Sequence, residues 1–218
     1  MLTHSSSAKL LAVRRVTSNK GAKTPGIDNV LWNTPKKKML AALKLRRSGY
    51  KAKSLKRVHI PKKQKGKFRP LSIPTMECRA QQALHLLALE PITEAIADKN
   101  SYGFRPLRSA ADAIQQCFII LSRKESAHWV LEGDIRSCFE NISHPWLLNN
   151  VSMDKVMLRK WLSAGYIEKT KLYSTVNGTP QGGVISPTLL LATLSGLEQV
   201  VKSAGGYRKR VNIITYAD

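Results

Sequence analysis

Apolar positions along the chain follow two periods. The first is helical. In residues 35–47, Met39, Leu40 and Leu43 form a stripe, with Pro35 suited to the first helical position and Gly49 just past the end. Residues 75–98 carry the longest pattern: Thr75 as N-cap, Glu77 in the first turn, and Ala83, Leu84, Leu87 and Ala88 as a core face. Pro91 predicts a kink or a division there. Ser109 caps a helix to about Ser122, with Ala113, Ile114, Cys117 and Ile120 inward. His144-Pro145 opens a short helix, and 154–164 forms another, with Val156, Leu158, Trp161 and Leu162 apolar. Ser186-Pro187 reads as N-cap and first residue of a helix reaching about Lys202.

The second period is two. Leu55–Ile60 alternates as a strand, a basic turn follows around Gly66, and Phe68–Pro74 starts the return strand. A β-favouring run, Trp129-Val130-Leu131, leads to the carboxylate of Asp134. Val211, Ile213, Ile214 and Thr215 repeat that design and lead to Asp218, with Gly205-Gly206 as the turn before them. Residues 1–24 read as basic and turn-rich, and Thr24-Pro-Gly-Ile-Asp28 as a punctuated turn. The order suggests two subdomains, a basic segment over 1–74 and an α+β segment over 75–218.

Composition alters this picture through charge. Lys and Arg number 36 against 14 Asp and Glu, a formal net charge of +22. Through Arg69 there are twenty basic residues and one acidic residue, Asp28. So lopsided a balance points to a polyanion, and Lys36, Lys37, Lys38, Arg46, Arg47, Lys56 and Arg57 are candidate RNA contacts. A solvated hairpin whose lysines blunt its edge is the plainer reading of residues 55–74. Three scattered cysteines, Cys78, Cys117 and Cys138, argue against a disulfide framework or zinc site and for a reducing compartment. No apolar run approaches the ~20 residues of a membrane span.

An aspartate at the end of a buried strand is costly unless a cation meets it. Carboxylate oxygens suit Mg²⁺. Asp134 and Asp218, delivered to one sheet edge by two strands, would make a two-metal site for phosphoryl transfer. The loop Gly178-Thr-Pro-Gln-Gly-Gly183 could let its backbone approach a ligand closely, although it holds neither a Walker lysine nor a GxGxxG pattern.

Six stretches in this order resemble the reverse transcriptases encoded by group II introns: Thr24–Asp28, Lys67-Phe-Arg-Pro-Leu-Ser-Ile-Pro74, Ser101-Tyr-Gly-Phe-Arg-Pro106, Glu132-Gly-Asp-Ile-Arg-Ser-Cys-Phe139, Gly178-Thr-Pro-Gln-Gly-Gly-Val-Ile-Ser-Pro187 and Tyr216-Ala-Asp218. The resemblance implies a right-hand polymerase fold, α+β, with fingers and an incomplete palm built on an antiparallel sheet with packed helices. It implies an RNA-directed DNA polymerase using two Mg²⁺, an RNA template, a DNA primer and dNTPs, in a bacterial or organellar cytoplasmic compartment. Asp134 and Asp218 would be the catalytic metal ligands, with the Ile135 carbonyl as a further one. Phe139 would lie under the sugar, while Lys63, Lys67 and Arg69 would meet the triphosphate and Gln181 and Gly182 the nucleotide. The sequence ends inside the last block, and reads as a fragment expected to bind RNA but to extend no primer alone. The rival is an RNA-binding, maturase-type splicing factor without polymerase activity. A two-metal nuclease would need further acidic and histidine ligands.

Overall fold

A computed structural model describes residues 2–62, 66–126, 128–205 and 211–217. The N-terminal segment is a helix rather than a run of turns. Ser5 accepts from the Ala8 N–H to cap α1 (Ser6–Thr17), whose Ala8, Ala12, Val13 and Val16 are buried. Small residues on that face let α1 lie on both α2 (Pro35–Lys44) and α3 (Met76–Ile96). The stripe expected on α2 turns outward: Met39, Leu40 and Leu43 are exposed, and Ala41, Ala42 and the C-cap Leu45 face inward. The alanines fit the close approach of α1 where the larger side chains do not.

Helix α3 is the centre of the molecule. Thr75 caps it, Glu77 sits in its first turn, and Pro91 lies inside one unbroken helix. Buried residues encircle its first half. Met76, Ala80, Ala83 and Leu84 join the cluster with α1 and α2, while Cys78, Leu86 and Leu89 join a second cluster with later helices. Leu86 and Leu89 therefore take the core positions expected of Leu87 and Ala88, which are half-buried. Arg79, buried on α3, donates from Nε to the Pro74 carbonyl (2.8 Å), from Nη1 to Gly21 (2.8 Å) and from Nη2 to Thr24 (2.6 Å). This ties the 20–28 segment to the start of the helix. Burial holds its pKa below the ordinary arginine value, partly offset by Asp28 and Cys78.

The sheet has the order β2-β1-β3-β4. Strands β1 (Leu55–Pro61) and β2 (Phe68–Ile73) form the expected antiparallel hairpin. Two short strands, β3 (Tyr166–Glu168) and β4 (Lys171–Tyr173), extend it, with β3 parallel to β1, so the sheet is mixed rather than antiparallel. Lys169 (φ 44°) and Thr170 (φ 70°) make the tight β3–β4 turn.

Helix α4 (Ala110–Leu121) starts with a full capping box at Ser109 and Asp112. Ala113 is buried, but Ile114 is exposed, with Cys117 and Ile120 half-buried. Residues 129–131 form no strand among the described residues; Trp129 and Leu131 are more than nine-tenths exposed, at 93% and 96%. β propensity needs a paired neighbour to be realised, and no described segment forms a ladder with this run. The 211–217 segment is likewise irregular apart from one parallel bridge, Thr215 to Ser101.

Helices α5 (Cys138–Asn141), α6 (His144–Asn150) and α7 (Lys155–Leu162) follow, and Met157, Leu158, Trp161 and Leu162 are buried while Val156 is exposed. The last helical stretch is divided into α8 (Ser186–Leu194) and α9 (Leu197–Gly205) at Gly196 (φ 94°). Ser186 and Pro187 open α8 from inside, after Ile185 as N-cap. The apolar run Leu189–Ala192 is buried among α3 and α7 residues. No helix among the described residues is long and apolar enough to cross a membrane.

Candidate active site

Three separated segments meet around the Gly178–Val184 loop. The Ser72 N–H on β2 donates to the Gln181 carbonyl at 2.7 Å. Thr179 N–H donates to the Phe139 carbonyl at 2.7 Å, and Gly178 N–H to the Ile142 carbonyl at 2.7 Å. His144 Nε2 lies 2.7 Å from the Gly178 oxygen. On the far side, Gln82 of α3 accepts from Val184 N–H at 2.8 Å. The glycines serve these approaches. A Cβ at Gly178 (φ 82°) would fall 2.6 Å from the Glu140 oxygen, and one at Gly182 (φ 108°) would fall 2.9 Å from the Ser72 oxygen. These close contacts are with the protein's own chain, the Glu140 backbone at Gly178 and the Ser72 carbonyl and Leu71 side chain at Gly182.

The 100–106 loop holds the 211–217 segment. Tyr102 N–H donates to Thr215 (2.9 Å) and Thr215 N–H to Asn100 (3.0 Å). Arg105 is buried and anchors this loop. It donates to the Asp98 and Ser101 carbonyls at 2.9 and 2.8 Å and makes a two-pronged pair with Glu94. Hydrogen bonding from Arg105 holds the Glu94 carboxyl below its usual range. Phe104 meets Phe139 edge-to-face at 5.8 Å. Phe104 (φ 61°) and Ser137 (φ 52°) are both left-handed without being glycine, a local strain that the surrounding contacts must hold.

Of the residues singled out from sequence, Phe139, Gln181 and Gly182 lie at or beside this junction. Phe139 is half-buried and packs against the second core cluster. Asp134 is exposed in the segment leading to α5 and makes no ion pair or hydrogen bond among the described residues; Ile135 is 42% exposed. Lys67 and Arg69 are exposed on the β1–β2 hairpin, where Lys67 accepts from Lys62 N–H at 2.8 Å through its carbonyl. Asp218 and Lys63 lie outside the described residues, as does Gly206. Among the candidate RNA contacts, Lys36, Lys37 and Arg46 are exposed, Lys38, Lys56 and Arg57 half-buried, and Arg47 paired with Asp154. The described residues contain no group of three or more His, Cys, Asp or Glu that could hold a metal. An unpaired, exposed carboxylate beside a backbone carbonyl nevertheless offers the oxygen donors a hard divalent cation prefers.

Sequence reasoning missed Arg105 and Gly103 as organisers, and the Tyr166–Tyr173 ring stack (5.2 Å) with Arg57 over Tyr166 (3.8 Å). The second arises from a parallel pairing between strands more than a hundred residues apart, which no local pattern signals.

Known proteins match this sequence over most of its length. The reverse transcriptase (RNA-dependent DNA polymerase) family profile matches residues 60–218, and a profile for the N-terminal domain of reverse transcriptase matches residues 1–45. Group II intron-encoded protein LtrA of Lactococcus lactis subsp. cremoris is 35% identical over 199 residues, covering 88% of this chain and 33% of LtrA. Protein YkfC of Escherichia coli is 37% identical over 201 residues, covering 86% of this chain and 52% of its own length. The putative COX1/OXI3 intron 2 protein of Saccharomyces cerevisiae is 31% identical over 205 residues, covering 89% of this chain and 23% of the yeast protein. The chain thus spans between about a quarter and about half of these relatives. It belongs to the reverse transcriptase family, of the kind encoded by group II introns.

Proposed function

We propose that this chain forms the fingers and the first part of the palm of a right-hand polymerase that copies RNA into DNA, with residues 1–74 as the basic fingers segment and 75–218 as the rest of the fingers and the palm. The observation that carries the reading is the junction at the glycine loop. It is bonded to β2 through Ser72 and Gln181, to α5 through Phe139 and Thr179, and to α3 through Gln82 and Val184. Such bonding makes one rigid wall from three segments that are remote in sequence, as a templated reaction requires for positioning.

In this reading the primer 3′-hydroxyl attacks the α-phosphorus of a dNTP and pyrophosphate leaves. Asp134, Asp218 and the Ile135 carbonyl would hold two Mg²⁺. When bound, these ions supply charge neutralisation for the attacking and leaving oxygens. Arg69, with Lys67 and Lys63, meets the triphosphate, where a guanidinium fork adds bidentate geometry. Phe139 sets the sugar's place against the Phe104 edge, and Gln181 and Gly182 bound the nucleotide. The excess of basic residues captures the RNA template.

The test is template-directed extension of a DNA primer annealed to RNA, by the intact gene product carrying these residues. Products that end at the template's 5′ end and require all four dNTPs support the reading. RNA binding without any DNA product contradicts it and favours a splicing factor.

A further inference from the structure

Phe104 occupies a backbone conformation that ordinarily belongs to glycine. Its φ is 61°, and no other aromatic among the described residues is left-handed. In that region the Cβ crowds the carbonyl oxygen that follows it, so the conformation persists only where the surroundings impose it. Burial does not account for it, because Phe104 is 42% exposed.

Both neighbours of Phe104 are fixed, so the strain cannot relax along the chain. On one side Tyr102 is buried and bonded to Thr215, and Gly103 lies against the Ala217 backbone. On the other, the Arg105 guanidinium is forked on Glu94 and donates to the Asp98 and Ser101 carbonyls. This fixed loop brings one ring against α5: the Phe104 and Phe139 centroids lie 5.8 Å apart, with the ring planes at 73°. The Phe139 backbone is held separately, through its carbonyl, by the Thr179 N–H of the glycine loop. One loop therefore sets the backbone of Phe139 and another meets its ring.

We propose that Phe104 is a positioning residue for sugar selection, holding the Phe139 ring against an incoming 2′-hydroxyl; the inference rests on the RNA-copying reading above and on Phe139 lying under the sugar. A ring that excludes a single hydroxyl must not turn aside. The torsion about the bond to a phenyl ring is broad and resists turning weakly by itself. Phe139 is only half-buried, so its core neighbours do not enclose it. An edge-to-face partner on a backbone that cannot shift supplies the missing stiffness. The strain at Phe104 then has a physical account. In the left-handed conformation its ring reaches α5, and a relaxed φ would carry the Cβ in another direction.

The test measures kcat/KM for a dNTP and for its rNTP on one RNA template. It uses the intact gene product, the single variants Phe104→Leu, Phe104→Gly and Phe139→Val, and Phe104→Leu combined with Phe139→Val. Leucine keeps apolar bulk without a ring edge, and glycine takes the left-handed conformation without strain. Each Phe104 variant lowers the preference for dNTP about three- to tenfold, through faster use of rNTP. The double variant discriminates no worse than Phe139→Val alone, because both changes act through the same ring. Partial unfolding slows both substrates alike, so a purely structural Phe104 keeps the parent ratio at any Tm. The parent ratio in either Phe104 variant, beside a lowered ratio in Phe139→Val, overturns the proposal and leaves the sugar gate standing. Additive losses in the double variant also overturn it, since Phe104 would then act apart from Phe139. The parent ratio in Phe139→Val overturns the gate and this inference with it. No DNA product from the unaltered protein overturns the RNA-copying reading beneath both.

Discussion

Gly103 lies against the backbone of Ala217: a Cβ on residue 103 would stand 2.1 Å from the Ala217 nitrogen and 2.6 Å from its Cα. Those are backbone atoms, which cannot swing aside as a side chain can. Gly103→Ala must therefore push residues 215–217 off the 100–106 loop and break the Tyr102–Thr215 and Thr215–Asn100 hydrogen bonds. The expected cost is about 1–3 kcal/mol, the usual range for overpacking. Hydrogen exchange at the Tyr102 and Thr215 amides checks it: both lose protection in the variant, and unchanged protection contradicts the clamp.

Acid should weaken the fold through His85. Burial pushes its pKa below the ordinary histidine value, with the Gln81 carbonyl, 2.9 Å from Nδ1, opposing that shift. The ring also meets the edge of Trp161 at 5.3 Å. The folded state thus binds fewer protons at this site than the unfolded chain. Its stabilising share is complete above the unfolded pKa of about 6.5 and declines as pH falls toward the depressed folded value. The slope is at most about 1.4 kcal/mol per pH unit for one proton. Denaturant midpoints measured from pH 7 down to pH 5 should fall in the native chain and fall less steeply in His85→Gln. Parallel slopes would remove His85 as the cause.

Phe139 follows Asp134 by five residues and meets Phe104 edge-to-face. If it supports the sugar of the incoming nucleotide, Phe139→Val in the intact gene product raises ribonucleotide incorporation by about tenfold or more and leaves dNTP use largely intact. Competition between labelled rNTP and dNTP measures this. Unchanged sugar discrimination makes Phe139 a core aromatic only.

Much of the framework was legible because its signals are local. Thr75, Glu77 and the long apolar pattern specify α3, and the alternation of 55–60 with the basic turn specifies the β1–β2 hairpin. Helix α1 was hidden because Ser5–Ser7 and interspersed cations resemble a loop, while its buried face consists of small Ala and Val residues. Strands β3 and β4 were hidden because Lys169-Thr170 lacks the glycine or asparagine that marks a tight hairpin turn. At 129–131 the reverse occurred: β-favouring residues were present without a ladder partner, so propensity alone made no strand. The candidate site was legible as motifs but not as an assembly. The bonds that gather it, Ser72 to Gln181 and Phe139 to Thr179, join backbone groups, and these carry no residue-specific signature.

The most direct measurement concerns Asp134, whose carboxylate has no partner among the described residues. Primer extension on an RNA template by the intact gene product and by its Asp134→Asn variant should be measured beside RNA affinity in the same buffer. Asparagine keeps the size and removes the charge that would hold the cation. The expected result is a loss of at least about a hundredfold in extension rate, with RNA affinity and Tm unchanged. Extension that survives the substitution would contradict the assignment of catalysis to this carboxylate.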